Sequence, residues 1–416
     1  MRFHMSPKKT VLCRVLVLFF LFLFPMNYLW RKANYTPFPI LMYHHITTDP
    51  SETNNITITD ERFRLDMEFL QQFGYTALLP ADVIEIQEKK QSAPEKPVMV
   101  TFDDGYFSNY QYAYPILRDT GMKAVIAVIG SNIVTEDKEN RMFLKWQELR
   151  EMRESGIIEV GSHTYNLHNP QYYGAIAPDG VNGVKRQKSE SKAAYKERVG
   201  ADLKTSIQQI TENTGQAPMN FFAFPYGEGD RWIQPLLEEN NVRMSVQTWK
   251  GKAGLTGKLY NLPRYGVKME KSLSDILQET KSAKSGKLTV SIDGQTAELP
   301  AYWINGKSYV RAGDAACLLR NTSYAFQPQW DETTSQTEIN TQTPYQPTGN
   351  ENRSLSLFGS IAHSTVEPTV IDGVSHMAAA YDIGKERFFN LTSLGELCGF
   401  AAVWDENAQC MYISTR

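Results

Sequence analysis

Two hydrophobic periods take turns along the chain. Short β-branched or aromatic runs, Val98-Met-Val-Thr-Phe102, Ala124-Val-Ile-Ala-Val-Ile129, Ile157-Ile-Glu-Val160, Phe221-Phe-Ala-Phe224 and Val242-Arg-Met-Ser-Val-Gln247, read as buried strands. Between them lie segments of helical spacing that end at glycines: Phe63 to Phe73 before Gly74, Tyr110 to Thr120 before Gly121, Trp146 to Ser155 before Gly156, and Ala193 to Thr214 before Gly215. Ala77-Leu-Leu79 leads into a helix start at Pro80, Ile233 to Asn240 is a further helix, and Pro37 to Ile46 is a strand-like run containing His44 and His45. Such repetition predicts an α/β fold whose parallel sheet is covered by helices, a distorted (β/α) barrel that is closed or nearly so.

The pattern changes after residue 280. Lys281-Ser-Ala-Lys-Ser-Gly-Lys287 reads as a linker between a first domain, 35–280, and a second, 288–416. The second begins with the alternating strands Leu288 to Ile292 and Thr296 to Leu299. It then repeats itself: Ile304 to Val310, a helix through Leu319 and Trp330-Asp-Glu332 are echoed by Ile383 to Phe389, a helix through Leu397 and Trp404-Asp-Glu406. Two such units predict one α+β tandem-repeat accessory domain. Thr333 to Asn352 is expected to be an exposed loop, with His363 and His376 on the surface.

At the other end, Arg2, Lys8, Lys9 and Arg14 precede an apolar run, and Arg31-Lys32 close it. A charged head followed by such a run is an export signal. With Tyr28 and Trp30 at its far edge, 15–32 is read as an uncleaved signal anchor behind a 1–14 cytoplasmic tail, with a cleaved signal peptide as the alternative. The expected location is the cell membrane, with a single pass and everything after Asn34 outside. A formal net charge of −3 over 416 residues gives no reason to expect nucleic acid as a partner. Cys13 lies in the N-terminal segment, and Cys317, Cys398 and Cys410 read as free thiols.

The candidate chemistry sits where strands end. Asp103 and Asp104 follow one strand and point in different directions, so one can bind a cation while the other takes a proton. Taken alone, Asp-Gly is also a common turn dipeptide. His163 follows another strand, and His168 lies five residues later, a spacing that lets a loop bring both imidazoles to one point. Two imidazoles and a carboxylate form a common ligand set for a catalytic divalent metal. C-terminal strand ends are where barrel active sites form. The Gly- and Lys-rich insertion Gly174 to Lys192 reads as a lid or a mobile loop.

Thr101-Phe-Asp-Asp-Gly105, Ser162-His-Thr164 with its later histidine, and Phe224-Pro-Tyr-Gly227 resemble the motifs of the polysaccharide deacetylases, the nodulation-type fold of carbohydrate esterase family 4. The histidine spacing, Met42-Tyr-His-His45, Lys145-Trp-Gln-Glu-Leu-Arg-Glu-Met152 and Phe222-Ala-Phe-Pro-Tyr-Gly227 are most similar to its biofilm branch, the poly-β-1,6-N-acetylglucosamine deacetylases. The likeness covers about residues 37 to 270. The C-terminal repeats resemble the copper amine oxidase N-terminal-like stalk domains of surface proteins.

The resemblance implies Asp104, His163 and His168 as metal ligands, with zinc the default and cobalt, nickel or iron also suited to the set. It implies Asp103 as general base, His44 as catalytic acid with His45 as fallback, the Tyr226 backbone N–H as oxyanion donor, and Thr164 as a brace of the histidine loop. Two departures matter. The base-orienting arginine of many relatives is replaced by Ala223, which assigns that role to Arg264; the histidine of a late leucine-containing motif is absent, which gives His44 its weight. The implied activity is metal-dependent N-deacetylation of an exported N-acetylglucosamine polysaccharide, releasing acetate. Envelope or export partners are an expectation for the C-terminal domain. Peptidoglycan N-acetylglucosamine is the alternative substrate, and an inactive glycan-binding scaffold is the alternative outside enzymology.

Overall fold

The computed structural model describes residues 36–134, 141–168, 183–277, 280–356 and 359–414. The expected tail 1–14 and anchor 15–32 lie outside the described residues, as does 174–182 of the insertion. Among the described residues no helix is long and apolar enough to cross a membrane.

Eight parallel strands form the first sheet: β1 (Ile40–Tyr43), β2 (Thr76–Ala77), β3 (Pro97–Asp104), β4 (Ala124–Val128), β5 (Ile158–Ser162), β6 (Phe221–Ala223), β7 (Met244–Val246) and β8 (Tyr265–Gly266). Their order is β7-β6-β5-β4-β3-β1-β8, with β2 on the N-terminal part of β3. All eight residues of β3 are buried, as expected of a strand covered on both faces. Val98, Val100, Phe102, Ile126 and Val160 pack with Leu149, Met152, Leu203 and Ile210 of the outer helices. Met99, Val125, Ala127, Ala223 and Val246 point to the other face and join Phe38 and Ile40. The sheet curls until one segment touches both edges: Leu262 bridges to Val246, and Tyr265 and Gly266 pair with Leu41 and Met42. Arg264 lies between those two attachments.

Local signals set the helix ends. Thr59 Oγ1 accepts the Arg62 N–H at the start of helix Asp60–Gln72, whose first turn carries Asp60 and Glu61. Helix Lys192–Thr214 begins at Ser191, whose side chain accepts the Ala194 N–H, and stops at Gly215 with φ 71°. The expected helix from Tyr110 instead opens as a π-turn over Asn109–Ala113 and becomes α-helical only over Tyr114–Asp119.

The linker expected at 281–287 is a correction. Those residues belong to one continuous strand, Thr280–Ile292, in which Lys284 to Ile292 pair with Gln295 to Trp303, and Thr280 to Ala283 pair with Ser360 to His363. Its Lys and Ser side chains point largely to solvent, so polarity there marks an exposed strand face. The repeat takes shape as two hairpin–helix–hairpin units whose strands Lys307–Arg311 and Glu386–Asn390 pair antiparallel. Thr333 to Asn352 is only partly a loop, since Gln336–Asn340 is a strand with Thr337 and Ile339 buried. His363 is exposed, whereas His376 is half-buried with Nδ1 3.5 Å from Glu68 Oε1 of the first sheet's helix. Cys317, Cys398 and Cys410 are free.

The two sheet systems share a core. Phe73 meets Tyr381 edge-on at 5.6 Å and belongs to one apolar cluster with Tyr302, Tyr309 and Phe388. Arg64 donates to the Ser375 carbonyl at 2.8 Å, and Glu68 accepts the Met377 N–H at 2.9 Å.

Candidate active site

The register of the parallel sheet levels the strand ends that carry the chemistry. Asp103 and Asp104 lie beside Ala127 and Val128, which lie beside Gly161 and Ser162, and Ser162 lies beside Phe222. Gly161 is required for this packing, because a Cβ there would stand 2.6 Å from Phe221 Cδ1. His44 follows β1 at the same rim.

The two adjacent aspartates have opposite surroundings. Arg264, fully buried, donates from Nη1 to Asp103 Oδ1 at 2.7 Å and from Nη2 to Oδ2 at 2.6 Å. Nη1 also donates to Thr101 Oγ1 at 3.1 Å, and Nε donates to the Gln247 carbonyl at 3.0 Å. Burial pushes the Asp103 carboxyl up, but the Arg264 guanidinium, through its charge and its hydrogen bonds, outweighs it and holds the group well below the usual carboxylate range. Asp104 has left the extended path, with φ 73°. Burial raises its carboxyl to about 6, with His44 pulling it down and Asp103 pushing it up. Its Oδ1 is buried with no hydrogen-bond partner among the described residues.

That orphaned oxygen faces the two imidazoles. His163 Nε2 is 3.5 Å and His168 Nε2 3.9 Å from Asp104 Oδ1, and the three ligand atoms lie within 4.8 Å of one another. These separations are too long for hydrogen bonds. His163 Nδ1 is 2.9 Å from the Ala223 carbonyl, which can only accept, so Nδ1 carries the proton and Nε2 offers a lone pair. Burial lowers His163 to about 3 and also lowers His168, which favours the neutral form of both rings. A buried unpartnered carboxylate oxygen beside two neutral imidazoles fits a divalent cation, and these donors suit zinc-like ions.

Supporting contacts hold the histidine loop. Thr164 Oγ1 accepts the Leu167 N–H, as the sequence reading expects of a brace. The main brace was not legible in the sequence: Asp202, on helix Lys192–Thr214, accepts the Tyr165 and Asn166 N–H groups at 2.9 and 2.8 Å. Its only sequence signal was an acid on the helix's buried face. Tyr226, in a left-handed conformation with φ 54°, stacks its ring on His168 at 4.3 Å, so its side chain also belongs to the site.

The structure separates the two N-terminal histidines. His44, half-buried with its carbonyl bonded to Asn109 Nδ2 at 2.8 Å, is close enough for its charge to lower both Asp103 and Asp104. His45 instead meets Tyr106 edge-on at 5.0 Å.

Comparison with known proteins agrees with this geometry. The sequence profile of the family described as polysaccharide deacetylase matches residues 90–245, which include Asp103, Asp104, His163, His168 and Tyr226. The Bacillus subtilis (strain 168) protein YxkH, whose name assigns it to the polysaccharide deacetylases, is 31% identical over 231 residues, 55% of this chain and 71% of that protein. The poly-β-1,6-N-acetyl-D-glucosamine N-deacetylase of Escherichia coli (strain K12) is 27% identical over 62% of this chain, but the match spans only 40% of that longer protein. A solved structure of a de-N-acetylase from Aggregatibacter actinomycetemcomitans superposes with a TM-score of 0.51 and 25% identity, covering 58% of this chain and 99% of that one. Because the likeness to YxkH spans most of that protein, and the profile falls on the strands that carry the paired aspartates and histidines, the chain belongs to the polysaccharide deacetylase family, hydrolases that act on amide bonds.

Proposed function

We propose that the protein removes N-acetyl groups hydrolytically from an extracellular polysaccharide of the poly-β-1,6-N-acetylglucosamine type, releasing acetate. The observation that carries this reading is the division of labour between neighbouring aspartates. Asp103 is clamped and ionised, while Asp104 shares an open point with His163 and His168. A divalent metal held by Asp104, His163 and His168 would supply Lewis acidity and lower the pKa of bound water to about 7. Zinc is the first choice; cobalt, nickel and iron suit the same donors.

The chain's own groups have the remaining roles. Asp103 takes the proton of the attacking water. Arg264 fixes its orientation and keeps it ionised, at a cost in basicity. The Tyr226 N–H donates to the oxyanion that develops on the former carbonyl oxygen. His44, protonated, gives its proton to the departing amine. Water and amide thus become acetate and a glucosamine unit, with no covalent bond to the protein.

The substrate class follows the names of relatives such as the Escherichia coli enzyme. The charged, then apolar N-terminus supports an anchor at 15–32, the cell membrane as location with the catalytic domain outside, and membrane contact through that segment. Export or envelope partners for the C-terminal domain remain part of this proposal. Acetate release by the full-length protein, measured on β-1,6-linked N-acetylglucosamine oligomers beside peptidoglycan fragments, tests it. Release from the β-1,6 oligomers is expected. Release from peptidoglycan alone would transfer the mechanism to the other substrate, and silence on both, with metal bound, would leave a glycan-binding scaffold.

A further inference from the structure

The second sheet system contains a cleft of about 320 Å³ that shares no residue with the candidate active site. It opens between strand Gln327–Asp331, which carries Trp330, and strand Glu386–Asn390, which carries Arg387. Trp330 leaves 47% of its surface exposed, although large aromatic side chains are normally buried. Arg387 sits 5.2 Å from the indole centroid and is 4% exposed. Its Nε and Nη2 bond Asp382 at 2.8 and 3.3 Å. Nη1 is buried and has no acceptor among the described residues, an expensive state for a guanidinium donor.

The neighbouring carboxylates are already committed. Glu386 pairs with Arg311 and Arg353, Asp314 accepts from Arg311 and the Asn352 N–H, and Glu351 accepts from Tyr345 and Thr348. The cleft therefore offers an aromatic plate, one unsatisfied donor and largely compensated charge. This favours a neutral ligand with an apolar face and an acceptor at its edge over a polyanion or a polycation. A pyranose ring has that shape, with C–H groups on its face and hydroxyl or acetamido oxygens around it.

We infer that this cleft is a second saccharide-binding site, in which a sugar ring packs on Trp330 and the indole shifts off the guanidinium enough for an acetamido or hydroxyl oxygen to accept from Arg387 Nη1. The choice of N-acetylglucosamine as that sugar rests on the deacetylase reading; the cleft's chemistry does not. A polymer held there stays tethered to the chain that carries the active site, so the cleft lowers KM for chains long enough to span both and leaves short substrates unaffected.

The test is calorimetric titration of a β-1,6-linked N-acetylglucosamine tetramer into the full chain carrying Asp103→Asn to stop turnover. The same titration is made with Trp330→Ala or Arg387→Lys added; Arg387→Lys keeps the charge beside Asp382 and removes Nη1. Two binding events are expected in the Asp103→Asn chain, one of them weakened about ten-fold by either second substitution. Trp330 is exposed, so its removal spares the fold and decides the matter if Arg387→Lys does not fold. Unchanged titrations with Trp330→Ala would overturn the inference, as would displacement of the tetramer from the cleft by inorganic phosphate. Acetate release by the wild-type chain, assayed in parallel, reports on the deacetylase reading alone. Trp330-dependent binding without acetate release would keep the cleft and remove that reading.

Discussion

Arg264 and Asp103 show how residues distant in sequence can share one function. The guanidinium is fully buried and its pairing with Asp103 is bidentate, so truncation leaves a carboxylate in a dry site with no counter-charge. Arg264→Ala is expected to lower unfolding free energy by about 3–5 kcal/mol and to abolish most acetate release, whereas Arg264→Lys keeps the charge and recovers part of the stability. Chemical denaturation and acetate assays read the two effects separately. A second prediction divides the adjacent histidines. His44→Ala should reduce kcat about 10²–10⁴-fold, while His45→Ala, which loses a contact with Tyr106, should leave kcat near wild type. Equal losses would remove His44 from the acid role. The paired aspartates and His163 could be recognised in the sequence because each ends an apolar strand, and His168 by its five-residue spacing from His163. Asp202 could not, because an acid on a helix face looks the same whether it meets water or two backbone N–H groups.

Among the elements, strand ends were easier to foresee than strand functions. The buried β-branched runs became the parallel strands, but Thr280–Ile292 was hidden because alternating Lys and Ser mimic a linker when a strand exposes one face. Strand β5 also carries a burden that its pattern conceals. Glu159 is buried there, bonded by the Ala81 N–H at 3.0 Å and by Asn220 Nδ2 at 3.2 Å, and burial pushes its carboxyl up to about 7. An unfolded glutamate titrates near about 4.3. Between those values the native state holds a proton that the unfolded state has lost, so stability falls as pH rises through the window. Glu159→Gln should remove that slope, gaining about 3 kcal/mol relative to wild type between pH 4 and 8. Urea unfolding at both pH values tests this, and parallel curves for the two proteins would show that Glu159 is not the source.

For the whole molecule, the repeat and the change in composition marked two units, but nothing in the sequence showed that they share a core. Phe73 and Tyr381 are separated by most of the chain and become neighbours only through tertiary folding. That shared cluster, with the Arg64 and Glu68 bonds, predicts one cooperative thermal transition for residues 36–416; two well-separated transitions would mean that the units fold independently. Under the proposed function, Asp104, His163 and His168 hold the metal on which deacetylation depends. The most direct test of this assignment is acetate release from β-1,6-linked N-acetylglucosamine oligomers by the purified full chain, before chelation, after chelation, and after return of single divalent metals. Loss of release on chelation and recovery with zinc, cobalt, nickel or iron is the predicted result. Undiminished release by protein shown to be metal-free by elemental analysis would contradict it.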